Sequence, residues 1–416
     1  MSAPLPRSGA GHHAVRAHDV NTHQTVHPYS SPHAHALSRW GYRVHHDEYA
    51  ERLIRSLSDT SESGPAHWVP ARVITIEREH YRVLFIDPEA ERTDAGTQWV
   101  VGEFGETTAW AHVAGRILHQ AQSSEALPAV GDWVLLRLTG DGATLWEVFP
   151  RDSRFARKAV GTTSRVQVVA ANVDTVFVMS AVGAELNPRR LQRYVSLIVD
   201  GGAEPVLLVN KVDKRDRTGT LIQDIREVAP GCKLLALSAK SGDGTDAVRA
   251  LLQLGQTFTL VGSSGVGKST LLNALLGHEA QRTAVVRSAD DKGRHTTTRR
   301  ELFLLPNGAL LMDTPGMREI GLLGAEQGVE AVFADVDAIA EDCRFSDCAH
   351  TGEPGCAVKA ALDDGRLRAT RFDAYLRLGK EASTQKKLEK ERLSRAVRRG
   401  SKRGRAARPK RGNFDE

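Results

Sequence analysis

The run Gly262-Ser263-Ser264-Gly265-Val266-Gly267-Lys268-Ser269-Thr270 constrains this chain more than any other stretch. It follows an apolar run of strand length, Thr257 to Val261, and opens a helical pattern from Lys268 to Leu276. A GxxxxGK[ST] sequence between a strand and a helix is a phosphate-binding loop. Its glycines let backbone N–H groups wrap phosphates at the helix N-terminus, Lys268 sets a point charge on the β and γ phosphates, and Ser269 can ligate Mg²⁺. The surrounding chain has the matching rhythm. Apolar strand candidates at Thr175 to Ser180, Pro205 to Val209, Lys233 to Leu237 and Ala309 to Met312 alternate with helical stretches such as Pro188 to Val199. From about Val168 to Phe333 this predicts an α/β unit, a parallel sheet covered by helices on both faces, with its ligand at the carboxyl ends of the strands.

The base is read elsewhere. Asn210-Lys211-Val212-Asp213 follows the strand candidate ending at Val209. A carboxylate there can accept both N1–H and the exocyclic amine of guanine, whereas adenine offers an acceptor at N1 and no amine at C2. Ser238-Ala239-Lys240 closes the next strand, and Asp313-Thr314-Pro315-Gly316 follows the last, bringing Asp313 near Mg²⁺ and the Gly316 N–H near a γ phosphate. These are signature elements of the GTPase superfamily in an unusual order, since the base-reading motifs precede the phosphate loop. The chain resembles a circularly permuted GTPase, an arrangement tolerated because chain termini lie close together at the surface. Between loop and DTPG lies Gly293-Arg294-His295-Thr296-Thr297-Thr298, where Thr297 or Thr298 is the candidate for the switch threonine that meets Mg²⁺ and the γ phosphate. Met317 stands where many GTPases carry a water-orienting Gln. A thioether cannot orient water, so unassisted hydrolysis is expected to be slow. His295 is the candidate to supply the missing polar contact when an activator orders its loop, with a plain phosphate contact as the alternative.

Three of the four Cys lie in Cys343-x4-Cys348-x-His350-x5-Cys356, with Gly352, Pro354 and Gly355 permitting tight turns. Thiolates and an imidazole at this spacing suit one closed, structural Cys₃His Zn²⁺ site. Cys232, far away in sequence, is expected to be a buried apolar residue.

From Trp68 to about Phe155 short alternating runs at Arg72 to Glu77, Tyr81 to Ile86, Trp99 to Phe104, Trp133 to Leu138 and Leu145 to Val148 predict a small β-barrel or sandwich. The oligonucleotide-binding barrel is one candidate and an SH3-like barrel would read alike. Ahead of it, nine of the sixteen His sit before residue 66 among few aliphatic residues, a composition too poor in apolar surface to order itself. A short amphipathic helix from Glu48 to Leu57 is the exception. At the other end, residues 385–416 carry thirteen Lys and Arg against four acidic residues, so the formal charge of +5 divides into a body of −4 and an arm of +9. Such an arm points to a polyanionic partner. No run approaches the ~20 apolar residues of a membrane-spanning helix, and the first residues lack the apolar core of a secretory signal.

A barrel, then NKVD and SAK ahead of GSSGVGKST, then GRHTTT, DTPG and CxxxxCxHxxxxxC: this order closely resembles the ribosome small subunit-dependent GTPases of the RsgA/YjeQ family. Ala171-Asn172-Val173-Asp174 and Arg189 to Tyr194 share the likeness, which covers roughly Trp68 to Arg377. Composition sets off a His-rich, mostly disordered extension at 1–67 and a basic, disordered tail at 385–416, neither part of the family's core pattern; between them the resemblance implies an OB-fold barrel at 68–160, a circularly permuted GTPase domain at 161–335 and a small, mostly helical zinc-binding domain at 336–384. It also implies a cytoplasmic factor that binds GTP, GDP and Mg²⁺, contacts the small ribosomal subunit and its rRNA late in maturation, is stimulated by the subunit and leaves when GTP is spent. Nothing in the sequence points to an obligate dimer, so a monomer is expected.

Overall fold

The computed structural model describes residues 32–58, 67–87, 100–158, 166–280, 300–313 and 326–406, apart from short gaps within these segments. The chain opens on two helices, α1 (Pro32–Ser38) and α2 (Val44–Ser58). Helix α2 contains the amphipathic helix expected at Glu48 to Leu57, and the expectation of a mostly disordered 1–67 is corrected for α1 and the start of α2. Ala34, Leu37, Trp40, Tyr42 and Ala50 are buried, and the Tyr42 ring meets Trp133 edge to face with centroids 4.8 Å apart. These few apolar residues build no core of their own; they find a ready surface on the barrel, which composition cannot reveal.

The barrel comprises β1 (His67–Glu77), β2 (His80–Ile86), a two-residue β3 (Val100–Val101), β4 (Glu106–Val113), β5 (Trp133–Thr139) and β6 (Gly142–Val148), with α3 (Gly115–Gln120) between β4 and β5. Strand β1 pairs with β2 and β5, β2 with β4, and β5 with β6, all antiparallel, and a parallel β4–β6 contact closes the ring. Five long strands closed in this order form the oligonucleotide-binding barrel and decide against the SH3-like alternative. Inward residues such as Val73, Val83, Ala109, Ala111, Leu136 and Leu145 fill it. Of the strand expected at Trp99 to Phe104, Val100 and Val101 form β3 and the rest lies outside the described residues; the long barrel strand is β4. Its inward positions are the small residues Thr107, Ala109 and Ala111, so Glu106–Val113 lacks the aliphatic alternation by which strands are read.

A hairpin of β7 (Arg154–Lys158) and β8 (Val166–Ala171) leads into the α/β unit. There β9 (Thr175–Ala181), β10 (Glu204–Asn210), β11 (Lys233–Ala236), β12 (Thr257–Gly262) and β14 (Leu310–Asp313) run parallel in the order β11-β10-β9-β12-β14. The sheet is not wholly parallel, because β13 (Glu301–Leu304) adds an antiparallel edge. That edge touches the barrel, where Glu301 lies opposite Thr75 of β1 and Thr75 Oγ1 donates to the Arg300 carbonyl at 3.2 Å. Helix α4 (Pro188–Asp200) begins at Asn187, whose Oδ1 accepts from the Arg190 N–H, with Pro188 preset for the first turn. Helices α5 (Thr245–Arg249) and α6 (Lys268–Ala280) complete the described part of the unit.

Arg72 joins barrel, N-terminal helices and sheet. Its guanidinium is fully buried and donates to the carbonyls of Trp40, Gly131 (3.3 Å) and Asn172 (3.1 Å) and to Thr257 Oγ1 (2.9 Å), lying 5.3 Å from the Trp133 ring centroid. Burial pulls its pKa down to about 10, with Asp174 the largest opposing influence, so it stays charged at neutral pH. Asn172 donates in turn to the Gly131 carbonyl at 2.9 Å, and Asp174 accepts from Arg43 and, at 2.7 Å, from the Thr257 N–H. Replacing Arg72 with Met should strand three buried acceptors, the Gly131 carbonyl keeping Asn172 as its donor, and lower the unfolding free energy by about 3–5 kcal/mol. Denaturant titration checks this, and a loss under about 1 kcal/mol would remove Arg72 from this role. Nearby, His45, His46 and Asp152 converge within 4.8 Å. They do not form a metal cradle. The Arg43 N–H donates to His46 Nδ1 at 3.1 Å, which leaves the ring proton on Nε2, and Arg43 already occupies Asp152 at 2.9 Å.

After β14 come α7 (Glu326–Val332), α8 (Ala334–Ala340), α9 (Ala357–Asp363) and α10 (Ala369–Ala406). Helix α7 lies so close on α4 that a Cβ at Gly328 would come within 2.0 Å of the Ser196 carbonyl oxygen. Arg371 of α10 grips Asp335 at 2.7 Å and lies 4.1 Å from the Phe333 ring centroid, and Arg193 of α4 reaches Glu381 at 2.9 Å. The tail expected to be disordered is corrected as well, since α10 continues through residues 385–406. Lys, Arg, Glu and Ala are strong helix formers, no Pro interrupts the run before Pro409, and Glu391 precedes Arg395 by one helical turn.

Candidate nucleotide and metal sites

The phosphate loop leaves the carboxyl end of β12 and enters α6, as its sequence predicts. Three positive-φ glycines, Gly262, Gly265 and Gly267, shape it. At Gly267 (φ 104°) a Cβ would come within 2.3 Å of Asn210 Nδ2. The loop can therefore close only against the first residue of the base-reading motif. Asn210, at the end of β10, is buried; its Nδ2 donates to the Val266 carbonyl at 2.7 Å and its Oδ1 accepts from the Ala239 N–H at 2.9 Å. Lys211, in left-handed backbone (φ 64°), donates through Nζ to the Gly265 carbonyl at 2.8 Å. The three motifs are thus one hydrogen-bonded unit, and Asn210 serves as the tie between them.

Asp213 sits exposed in the short turn Val212–Lys214, beside Ser238, Ala239 and Lys240. A hydrogen bond from Ser238, with the charges of Lys214 and Lys240 adding to it, holds its carboxyl below the usual range. An ionised, outward acceptor with ordered neighbours is what guanine recognition requires. Lys268 Nζ donates to the carbonyls of Gly262 (2.9 Å) and Ser263 (2.7 Å), so its charge rests inside the loop. Ser264 and Thr270 are exposed on the loop and the first turn.

Ser269, exposed in that first turn, offers a hydroxyl, and Asp313, exposed at the end of the neighbouring strand β14, offers a carboxylate. Hard oxygen donors of this kind fit Mg²⁺ shared with nucleotide phosphates. Desolvation raises the Asp313 carboxyl, and no cation opposes that shift. A divalent ion would provide the missing partner. His295, Thr296, Thr297, Thr298, Gly316 and Met317 lie outside the described residues.

Cys343, Cys348, His350 and Cys356 converge, their ligand atoms all within 4.8 Å of one another. Cys343 Sγ and Cys356 Sγ are 4.0 Å apart, and each is 3.6 Å from His350 Nδ1. Bonds of about 2.3 Å to sulfur and 2.0–2.1 Å to nitrogen in a tetrahedron give edges of about 3.8 and 3.6 Å, so the set fits Zn²⁺. Its surroundings favour thiolate. Backbone N–H groups of Val358 and Ala357, at the start of α9, lower the Cys343 pKa, and Cys356 caps that helix by accepting from the Lys359 N–H at 3.3 Å. Desolvation instead pushes Cys348 up to about 11, a shift that binding of a cation would reverse. Glu353 shapes the loop. Its carboxylate accepts from the N–H groups of Ala349 (3.0 Å), Thr351 (2.7 Å) and Gly352 (3.0 Å), and its own backbone N–H, the largest influence, together with these lowers its pKa to about 2. Sequence reasoning missed Glu353, although an acidic residue between Gly352 and Pro354 in a tight turn is the signal that could have found it. Cys232 is partly buried against the main core.

Residues 148–323 match the family model described as RsgA GTPase. The chain is 46% identical over 276 residues to the small ribosomal subunit biogenesis GTPase RsgA of Methanosarcina acetivorans, covering 64% of this chain and 74% of that protein. To the protein of the same name from Opitutus terrae it is 43% identical over 343 residues, covering 80% and 88%. In fold it is similar to YjeQ from Thermotoga maritima, with a TM-score of 0.54, 24% identity and coverage of 76% of this chain and 99% of that one. It is likewise similar to YloQ, described as a circularly permuted GTPase, with a TM-score of 0.51, 24% identity and coverage of 77% and 96%.

Proposed function

The chain belongs to the RsgA GTPase family, and from that premise we propose that this GTP-hydrolysing protein is a ribosome biogenesis factor of the small subunit. It binds the subunit and its rRNA late in maturation, hydrolyses GTP faster there, and leaves once GTP is spent. It acts as a monomer in the cytoplasm.

The observation that carries this reading is the seating of the helices that follow Asp313 in the chain, from Glu326 onward. Because the motifs are permuted, the segment that senses the γ phosphate leads directly to α7, which is pressed onto α4 and continues into the zinc module and α10. A change in nucleotide state can therefore move the C-terminal elements relative to the rest, so RNA affinity differs between GTP and GDP forms. In the site, Asp213 reads guanine while Lys211, Val212, Ser238, Ala239 and Lys240 frame the base. The backbone from Gly262 to Val266 cradles the phosphates with Gly267, Lys268 and Thr270; Thr298 and Gly316 meet the γ phosphate. Ser269 and Asp313 would hold Mg²⁺, which supplies charge neutralisation on the phosphates. His295 orients the attacking water when the subunit orders its loop. The barrel, the zinc module and the basic arm supply RNA affinity, the arm without sequence preference.

Phosphate release with purified subunits tests the reading. Small subunits should raise turnover by at least about tenfold and large subunits should not, and His295→Ala should abolish the increase with GTP affinity unchanged. Stimulation of the variant within about threefold of the parent removes His295 from this role. No response to small subunits would mean a GTP site used only for structure, and a response to large subunits alone would assign the protein to that particle.

A further inference from the structure

The outer face of the β2–β4 ribbon carries a cluster that neither the nucleotide site nor the zinc module uses. Arg82 of β2 stands directly opposite Trp110 of β4. Tyr81, Val83, Ala109 and Ala111 point into the barrel, so the alternating residues His80, Arg82, Trp110 and His112 point out. Trp110 is 37% exposed. Arg82 Nη2 donates to Thr108 Oγ1 at 3.3 Å, which ties the guanidinium to β4 beside the indole. Two residues along, the rings of His80 and His112 meet edge to face, 4.8 Å between centroids. Two carboxylates share the face: Glu77, opposite His80 at the hairpin end, and Glu301, in register with Arg82 through Thr75 but two strands from Arg82 and three from Trp110.

We infer that this face stacks an unpaired base of an RNA strand. Trp110 takes the flat face of the base, Arg82 meets the adjoining phosphate, and the His80–His112 pair receives the next nucleotide about 7 Å along the strand. The inference rests on the reading of an rRNA partner and adds where on the barrel a nucleotide is held and that it is unpaired. Three observations favour this occupant: an exposed indole on the outward sheet face, a fixed cation in register with it, and aromatic rings at a two-residue repeat. A base inside a duplex presents no free π face, so the ligand is single-stranded. A protein partner would gain nothing from a cation held beside an aromatic plane unless it brought an anion of its own.

The test uses the full chain and a 5′-fluorescein single-stranded RNA 12-mer, with the same sequence as a duplex for comparison. Anisotropy is read at ~200 mM salt, where the contribution of the basic helix is reduced. Trp110→Ala should weaken single-strand binding about tenfold, Trp110→Phe should stay within about threefold, and duplex binding should move less than about twofold. GTP affinity reports that each variant is folded, since Trp110 lies outside the nucleotide site. Unchanged single-strand binding by Trp110→Ala, or equal loss for strand and duplex, overturns the inference. So does loss of subunit binding with RNA binding intact, which would give the face to a protein. Small-subunit stimulation of the parent protein is read separately, and its absence would overturn the functional reading itself.

Discussion

Replacement of Cys356 by Ala is expected to release the metal and unfold the segment from Cys343 through α9. Structural Zn²⁺ in modules of this kind contributes about 10–16 kcal/mol of apparent binding free energy, and that energy is folding energy for a segment too short to build its own core. Cys356 has two duties. It belongs to the converged ligand set, 4.0 Å from Cys343 Sγ and 3.6 Å from His350 Nδ1, and it caps α9 through the Lys359 N–H. Alanine removes both. Metal content should fall from one Zn²⁺ per chain to none, and amide exchange across Ala357–Asp363 should accelerate by orders of magnitude. Because α10 is anchored separately by Arg371 on Asp335 and Arg193 on Glu381, the nucleotide unit should keep its GTP affinity. Unchanged zinc content with unchanged exchange in α9 would dismiss this cluster as the zinc site.

The second large effect lies in the base pocket. Asp213→Asn keeps the shape of the side chain but turns one acceptor into a donor, which then faces the donor edge of guanine. Two charge-assisted hydrogen bonds of about 1.5–3 kcal/mol each are lost, so GTP affinity should fall by roughly 10²–10⁴. Xanthine carries an oxygen where guanine has its C2 amine, so the new amide should bind xanthosine triphosphate better than the parent does. Fluorescent-nucleotide titration of both variants measures the crossover. A GTP affinity within about threefold of the parent would show that the base is read elsewhere. The Ser238 hydrogen bond holds the Asp213 carboxyl below its ordinary range. It stays ionised as pH falls toward that range, and guanine discrimination should be flat across neutral pH and lost only on the acid side.

The parts of this protein that could be read from the chain are those whose chemistry is contiguous. The phosphate loop, the NKVD and SAK runs and the cysteine cluster each hold their donors within a dozen or so residues, so spacing alone tells what they can bind. Strand β10 and helix α4 followed from apolar periodicity and a capped start at Asn187-Pro188. Strand β4 did not, because a barrel interior near a closing contact takes Thr and Ala as well as Val and Leu. Helix α1 and the docking of both N-terminal helices did not either, although the amphipathic run at Glu48 to Leu57 foretold α2. Five buried apolar residues among many His look like an idle extension until the barrel offers Trp133 as a surface. The basic arm was readable as charge, but its continuation of α10 depends on helix propensity carried forward from a docked start at Ala369.

The sequence by itself determined that the chain binds a nucleotide, that the base is guanine by chemistry, that the motif order is permuted and that four residues able to hold a metal follow. Those properties are written in short stretches where bonding groups are neighbours in the chain. The tertiary structure alone decided that Asn210 ties Val266 to Ala239 and that Arg72 bolts the barrel to a strand 185 residues away. It alone decided that Gly328 lets α7 seat on α4, and that Trp110 and Arg82 share an outward face. Each of these is a contact between residues far apart in the chain, fixed by the packing of whole elements, and no local period or propensity encodes such a meeting.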